Sequence, residues 1–180
     1  MGATTTLVTV QEFLQLPEPE GQKLELIGGE VVSVGRGGYK HEFTKANIIR
    51  AFAIWLAQNP SASLFSESMF QIDADTAAIP DISVFLSGPD TPENTEIMQG
   101  APELAIEVVS SESAARLETK VRLYLARGSK SVWVVFPELR LVRIYDPSGH
   151  SRKLEENQML EDPNVLPGFQ VSVSSFFQRI

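Results

Sequence analysis

The chain has 180 residues, 43% hydrophobic and 21% charged, with no cysteine and a formal net charge of −8; this is the composition of a globular domain with enough apolar material for a sizeable core. Disulfide frameworks, thiolate zinc sites and cysteine nucleophiles are thereby excluded, and no run approaches the ~18–20 apolar residues of a membrane span. The negative balance counts against indiscriminate nucleic-acid binding, which draws most of its affinity from phosphate attraction, while leaving room for a local basic groove.

The N-terminus "MGATTTLVTVQEFLQLPEPEG" has no basic start followed by an apolar block, so no secretory signal is expected and the default location is cytoplasmic. A single domain is expected over 1–180. A first short helix ends at "LPEPEG". "KLELIGGEVVSVG" then reads as a β-hairpin, because Gly28-Gly29 can take the positive φ of a two-residue turn between apolar flanks. In "HEFTKANIIRAFAIWLAQN", Ile48, Ala51, Phe52, Trp55 and Leu56 recur at helical spacing, and Asn59-Pro60 closes the helix.

Two strands follow, "SLFSESMFQID" and "AIPDISVFL", with a loop expected at 73–78 between them, and then a long acidic surface connection, "SGPDTPENTEIMQGAP". "ELAIEVVS" is a strand, and the serines at 110, 111 and 113 offer N-caps to a helix with the stripe Leu117, Val121, Tyr124 and Leu125. Gly128 suits its C-terminal turn. "SVWVVF" and "LVRIYD" are strands joined at "PELR", and "VLPGFQVSVSSFFQRI" adds one short strand and an aromatic end. The strand–helix–strand unit from Glu103 to Phe136 implies parallel pairing through a right-handed crossover. The expected class is α/β (α+β): a mixed central sheet flanked by helices, with an N-terminal hairpin. Two basic clusters (Arg36, Lys40, Lys45, Arg50; Arg116, Lys120, Arg122, Arg127, Lys130) and two acidic ones (90–96, 155–162) read as solvated faces.

Glu107 interrupts the apolar run "ELAIEVVS". An uncompensated buried carboxylate costs several kcal/mol, so Glu107 must be exposed, paired or metal-bound. Asp81 follows Pro80, a residue of strand starts and edges, and opens the apolar run "DISVFL". If their strands are neighbours, the two carboxylates converge and repel unless a cation lies between them. An oxygen-only pair suits Mg²⁺ or Mn²⁺. Lys120, thirteen positions after Glu107 on the next helix, can bring an ammonium back over the strand end. By spacing alone, a paired structural network fits these residues equally well.

"IPDISVF", "ELAIEVVS" and the downstream Lys120 resemble the PD-(D/E)XK nuclease superfamily, and more narrowly the Uma-two family of putative restriction endonucleases. The likeness runs through "KLELIGGEVV", a His at the start of the long helix, "PELAIEVVS", "LETKVRLYLARGSKSVWVVFP", "VRIYDPSG" and "LPGFQVSVSSFF". It implies a restriction-endonuclease-like core, Asp81 and Glu107 as metal ligands, Lys120 as catalytic lysine, and roles at the site for Glu25 and His41. Ser110-Ser111-Glu112 stands where the family usually has Ser-Pro-Ser, Gly28 where it has Asp, and Phe136 where Asp is common. The expected function is a Mg²⁺- (or Mn²⁺-) dependent endonuclease acting on DNA, in which a metal-activated water attacks the phosphodiester, acting as a homodimer because two strands require two sites. The alternatives are a non-cleaving nucleic-acid- or protein-binding domain with a vestigial acidic site, and a hydrolase for another phosphate-bearing substrate such as a nucleotide. Apart from the likeness, His41 and Glu25 read as surface groups, and Trp55 and Trp133 as core.

Overall fold

Alternation of apolar side chains in "ELAIEVVS" and "SVWVVF" sets the centre of the structure, a computed structural model that describes residues 7–35, 37–87 and 97–179. In chain order the elements are α1 (Val10–Phe13), β1 (Lys23–Ile27), β2 (Glu30–Val34), α2 (Tyr39–Leu56), β3 (Ser63–Ser66), β4 (Phe70–Asp73), β5 (Thr76–Ala78) and β6 (Ile82–Phe85). They continue with β7 (Met98–Gln99), β8 (Leu104–Val108), α3 (Ala114–Ala126), β9 (Ser131–Phe136), β10 (Leu141–Tyr145), β11 (Ser151–Glu155), β12 (Met159–Glu161), β13 (Gln170–Ser172) and a 3₁₀ turn (Val173–Phe176).

A six-stranded sheet runs in the order β11-β10-β9-β8-β6-β3. Its central β8–β9 pair is parallel and bridged by α3, while β6 lies antiparallel to β8. The period-two alternation divides the core between its faces. Leu104, Ile106, Val108, Trp133 and Val135 pack with Ile82 and Val84 under Ile48, Phe52 and Trp55 of α2. Ala105, Val132 and Val134 face Leu117, Val121 and Tyr124 of α3, together with Phe70, Ile72 and Ala78. Those last three belong to a second sheet, order β2-β1-β5-β4-β7, whose other side packs Leu26 and Ala77 on Val10 and Phe13 of α1. At roughly 1.5–3 kcal/mol for each large apolar side chain buried, Leu104 and Ile106 alone offset much of what a carboxylate in β8 costs.

The Gly28-Gly29 turn takes φ of 58° and 79°, the double positive φ a tight hairpin demands. That hairpin extends the second sheet and not the central one. "SLFSESMFQID" forms two strands. Glu67, at φ 54°, turns the chain out of the six-stranded sheet after β3 and into the five-stranded sheet at β4. The loop expected at 73–78 is a tight turn, and Thr76–Ala78 pair as the wholly buried β5. Sequence patterning marks neither β11 nor β12, and the end of the stretch expected as a surface connection instead buries Ile97 and pairs β7 with β4. The acidic stretch at 90–96 and Arg36 lie outside the described residues. Among the described residues no helix is long and apolar enough to cross a membrane.

Candidate active site

A cleft of ≈ 590 Å³ opens between the first hairpin, the N-terminal turn of α2, the start of α3 and the adjoining ends of β6 and β8. Ladder register explains why acids meet there. Ile82 pairs with Ile106, so one step further along the antiparallel ladder brings Asp81 beside Glu107. Asp81 Oδ2 accepts the Val108 backbone N–H at 2.7 Å, so a side-chain acceptor carries the pairing one step past the last ladder residues. Glu107 points to the α3 side of the sheet, as the alternation requires.

Lys120 meets it there. Its Nζ lies 2.8 Å from Glu107 Oε1 and 3.0 Å from Glu25 Oε1. Tyr124, one helical turn beyond Lys120, donates its hydroxyl to Glu107 Oε1 at 2.9 Å. Glu25 reaches the same point from β1, where Leu26 turns away to the α1 core, and Glu25 Oε1 also accepts the Ile79 N–H at 2.7 Å. All of these groups are nearly or fully buried: Glu25 is 0%, Lys120 3% and Glu107 5% exposed. Glu25 is therefore no solvent-facing hairpin residue, while Glu30 across the turn is exposed. The second oxygen of Glu25 is buried with no hydrogen-bond partner.

His41 is likewise buried and not on the surface. Its Nε2 is 3.1 Å from Asp81 Oδ1 and its Nδ1 3.1 Å from Glu42 Oε1. Gly37 makes room for the ring, since a Cβ there would stand 2.1 Å from Nδ1. One turn along α2, Lys45 pairs with Glu42 at 2.8 Å and with Glu67, which also holds Lys23. These links form a chain of alternating charge along the cleft wall. Lys45, read from the sequence as part of a solvated cluster, is thus a buried, doubly paired cation. Glu112 and Arg116 line the opposite wall.

The electrostatics are those of too many acids for one lysine. Burial raises the Glu107 pKa; Lys120 opposes the rise, and the charges of Asp81 and Glu25 reinforce it. Glu112 is raised too, first by burial. Burial works against the Lys120 ammonium, but Glu107, Glu25 and Glu112 outweigh it and push its pKa up. The same contest, settled by Asp81 and Glu42, raises His41. Lys120 therefore stays charged at neutral pH, and the raised Glu107 and Glu112 leave the acids around it ready to hold a proton.

A divalent cation would satisfy the same excess of charge. Among the described residues no three His, Cys, Asp or Glu side chains gather as a preformed metal cage. A hard ion that keeps several waters takes one or two carboxylates and does not require one. Asp81 and Glu107 fit that description. A carboxylate offers about four lone-pair positions; Asp81 uses one contact on each oxygen, and the two contacts to Glu107 share Oε1.

The structure thus brings Asp81, Glu107, Lys120 and His41 to one cleft, with Glu25 buried behind it against Lys120. Sequence reasoning passed over Tyr124, Lys45 and Glu67. The first two had a signal, each lying four residues beyond a candidate (Lys120 and His41) on the same helix face. Glu67 had none, since its contacts depend on the crossing between sheets.

A family whose description reads "Uma2: Putative restriction endonuclease" matches residues 10–174. An uncharacterized protein of Synechocystis, sll1609, is 26% identical over 113 residues, covering 62% of this chain and 64% of that one; the match thus spans under two thirds of the curated relative. Among solved structures, the crystal structure of a putative nuclease belonging to DUF820 from Anabaena variabilis is similar with a TM-score of 0.82 and 26% identity. That likeness covers 94% of this chain and 97% of the other.

Proposed function

The chain belongs to the Uma2 family of putative restriction endonucleases, and from that membership we propose that it is a divalent-cation-dependent endonuclease hydrolysing DNA phosphodiester bonds. The observation that carries the reading is the buried Lys120 ammonium held between Glu25 and Glu107 at the floor of a cleft that Asp81 also lines. Asp81 and Glu107 would hold Mg²⁺ or Mn²⁺, which when bound lowers the pKa of a coordinated water and offsets phosphate charge. Lys120 is kept charged by its acids and is pre-positioned to stabilise negative charge developing on the phosphoryl oxygens. His41 is fixed at both ring nitrogens and offers a proton at the cleft edge. Tyr124 and Glu25 touch no substrate in this scheme; they position Glu107 and Lys120. A two-fold homodimer of a single 1–180 domain would present one site to each DNA strand.

A second reading has its own observation. Both Asp81 oxygens are already engaged, by Val108 N–H and by His41, as in a purely structural network supporting a binding module. The two readings separate in a cleavage screen on plasmid, linear and single-stranded DNA with Mg²⁺, Mn²⁺ or chelator. Wild type should cut with the cation and not with chelator. Asp81→Asn, whose amide oxygen can still accept the Val108 N–H, should remain folded and lose cleavage by on the order of 10²-fold or more. A folded wild type that cuts nothing under any of these conditions overturns the nuclease reading.

A further inference from the structure

On the opposite face of the α2 N-terminus from His41, a second hollow of ≈ 260 Å³ is lined by aromatic rings and cations. Tyr39 and Phe43 stack with centroids 5.7 Å apart and planes at 20°. The Arg179 guanidinium lies 5.7 Å above the Tyr39 ring, and that of Arg140 lies 5.4 Å from the Phe177 ring. Lys40 closes one side. Tyr39 is 65% exposed, although a tyrosine gains by burying its ring and wetting its hydroxyl. The candidate active site does not use these residues.

We propose that this ledge binds an unpaired DNA segment, one base stacking on Tyr39 while Arg179, Arg140 and Lys40 meet the flanking phosphates. An exposed aromatic ring beside guanidinium groups is the chemistry by which single strands are held without regard to sequence. The acids nearby do not cancel it. Glu138 pairs with Lys40 and Glu156 with Arg140 across exposed side chains, and pairs of that kind are weak enough to exchange for a phosphate. Position favours the same ligand. Tyr39 and His41 belong to one helical turn of ~5.4 Å pitch, and Gly38 leaves the α2 N-terminus without a side-chain cap. A strand leaving the cleft at His41 crosses that N-terminus, whose amides face an anion favourably, and arrives at Tyr39.

The inference rests on the nuclease reading for where the strand comes from, but its test does not need cleavage. Binding of a labelled oligothymidylate is followed by fluorescence anisotropy at low salt in chelator, for wild type, Tyr39→Ala, Tyr39→Trp and Arg179→Ala. Thermal melts matching wild type confirm that each variant is folded. Wild type should bind the single strand more tightly than a duplex of the same length. Tyr39→Ala should weaken binding by on the order of tenfold, and Tyr39→Trp should restore it. Arg179→Ala should reduce the slope of log affinity against log salt by about 0.7. Absence of wild-type binding, preference for duplex, or a Tyr39→Ala variant that binds like wild type would each overturn the ledge. Binding as described by a protein that cuts nothing would retain the ledge and sink the nuclease reading. Cleavage by a protein whose Tyr39 and Arg179 variants behave as wild type would do the reverse.

Discussion

Lys120 is the residue on which the buried charge depends, because Glu25 and Glu107 both lean on its single ammonium. Removing one partner of a buried ion pair leaves the other uncompensated, at a cost of about 3–5 kcal/mol. Lys120→Met should therefore lower the free energy of urea unfolding by an amount in that range, and adding Glu25→Gln and Glu107→Gln to it should recover part of the loss. Tyr124→Phe deletes one hydrogen bond to the buried Glu107 carboxyl and keeps the packing, so a loss of about 1–3 kcal/mol is expected in the same measurement. Asp81 and Glu107 were legible in the sequence because a carboxylate in an apolar strand demands an explanation. Tyr124 was legible only as part of an apolar stripe, since the periodicity that places its ring says nothing of its hydroxyl. Glu25 and His41 took their importance from the family likeness; residue type and position alone had assigned both to the surface.

Glu67 shows how an element boundary becomes a charge junction. Its φ of 54° carries the chain between the two sheets, and at that corner its carboxylate ties Lys23 of β1 to Lys45 of α2. Hydrogen bonds from those lysines lower its pKa from 4.5 to about 2. A folded-state pKa below the unfolded one contributes stability that is complete above about pH 4.5 and is lost as pH falls towards 2. Urea midpoints measured across that window should fall less steeply for Glu67→Gln than for wild type. At the entry to α2, Gly37 leaves the space His41 occupies. Gly37→Ala should displace the imidazole from Asp81 and Glu42, so that the His41 pKa, followed by NMR, drops below its wild-type value while the fold persists. Both features escape sequence patterns: "SLFSESMFQID" has no glycine or proline to mark a break, and no periodicity marks where a strand changes sheets.

At the scale of the whole molecule, the order of elements from Glu103 to Phe136 was legible because a hydrophobic strand, a capped helix and a second hydrophobic strand leave few ways to pack. The division of strands among six-, five- and two-stranded sheets was not, since the five-stranded sheet is joined by the short β1–β5 and β4–β7 pairings between segments distant in sequence. Net charge is similarly blind to placement: a chain of −8 still gathers Arg140, Arg179 and Lys40 on one ledge and buries Lys120 among acids. If two strands are cut by paired sites, sedimentation equilibrium should return a dimer mass, and a dilution that yields monomer should abolish double-strand cuts before nicks. The excess of acid in the cleft is tested most directly by calorimetric titration of Mn²⁺ into wild type, Asp81→Asn and Glu107→Gln at neutral pH, in two buffers of different ionisation enthalpy. The predicted result is saturable binding by wild type with release of a proton, and loss of that binding in both folded variants. Failure of wild type to bind the ion, or equal binding by all three proteins, would contradict it.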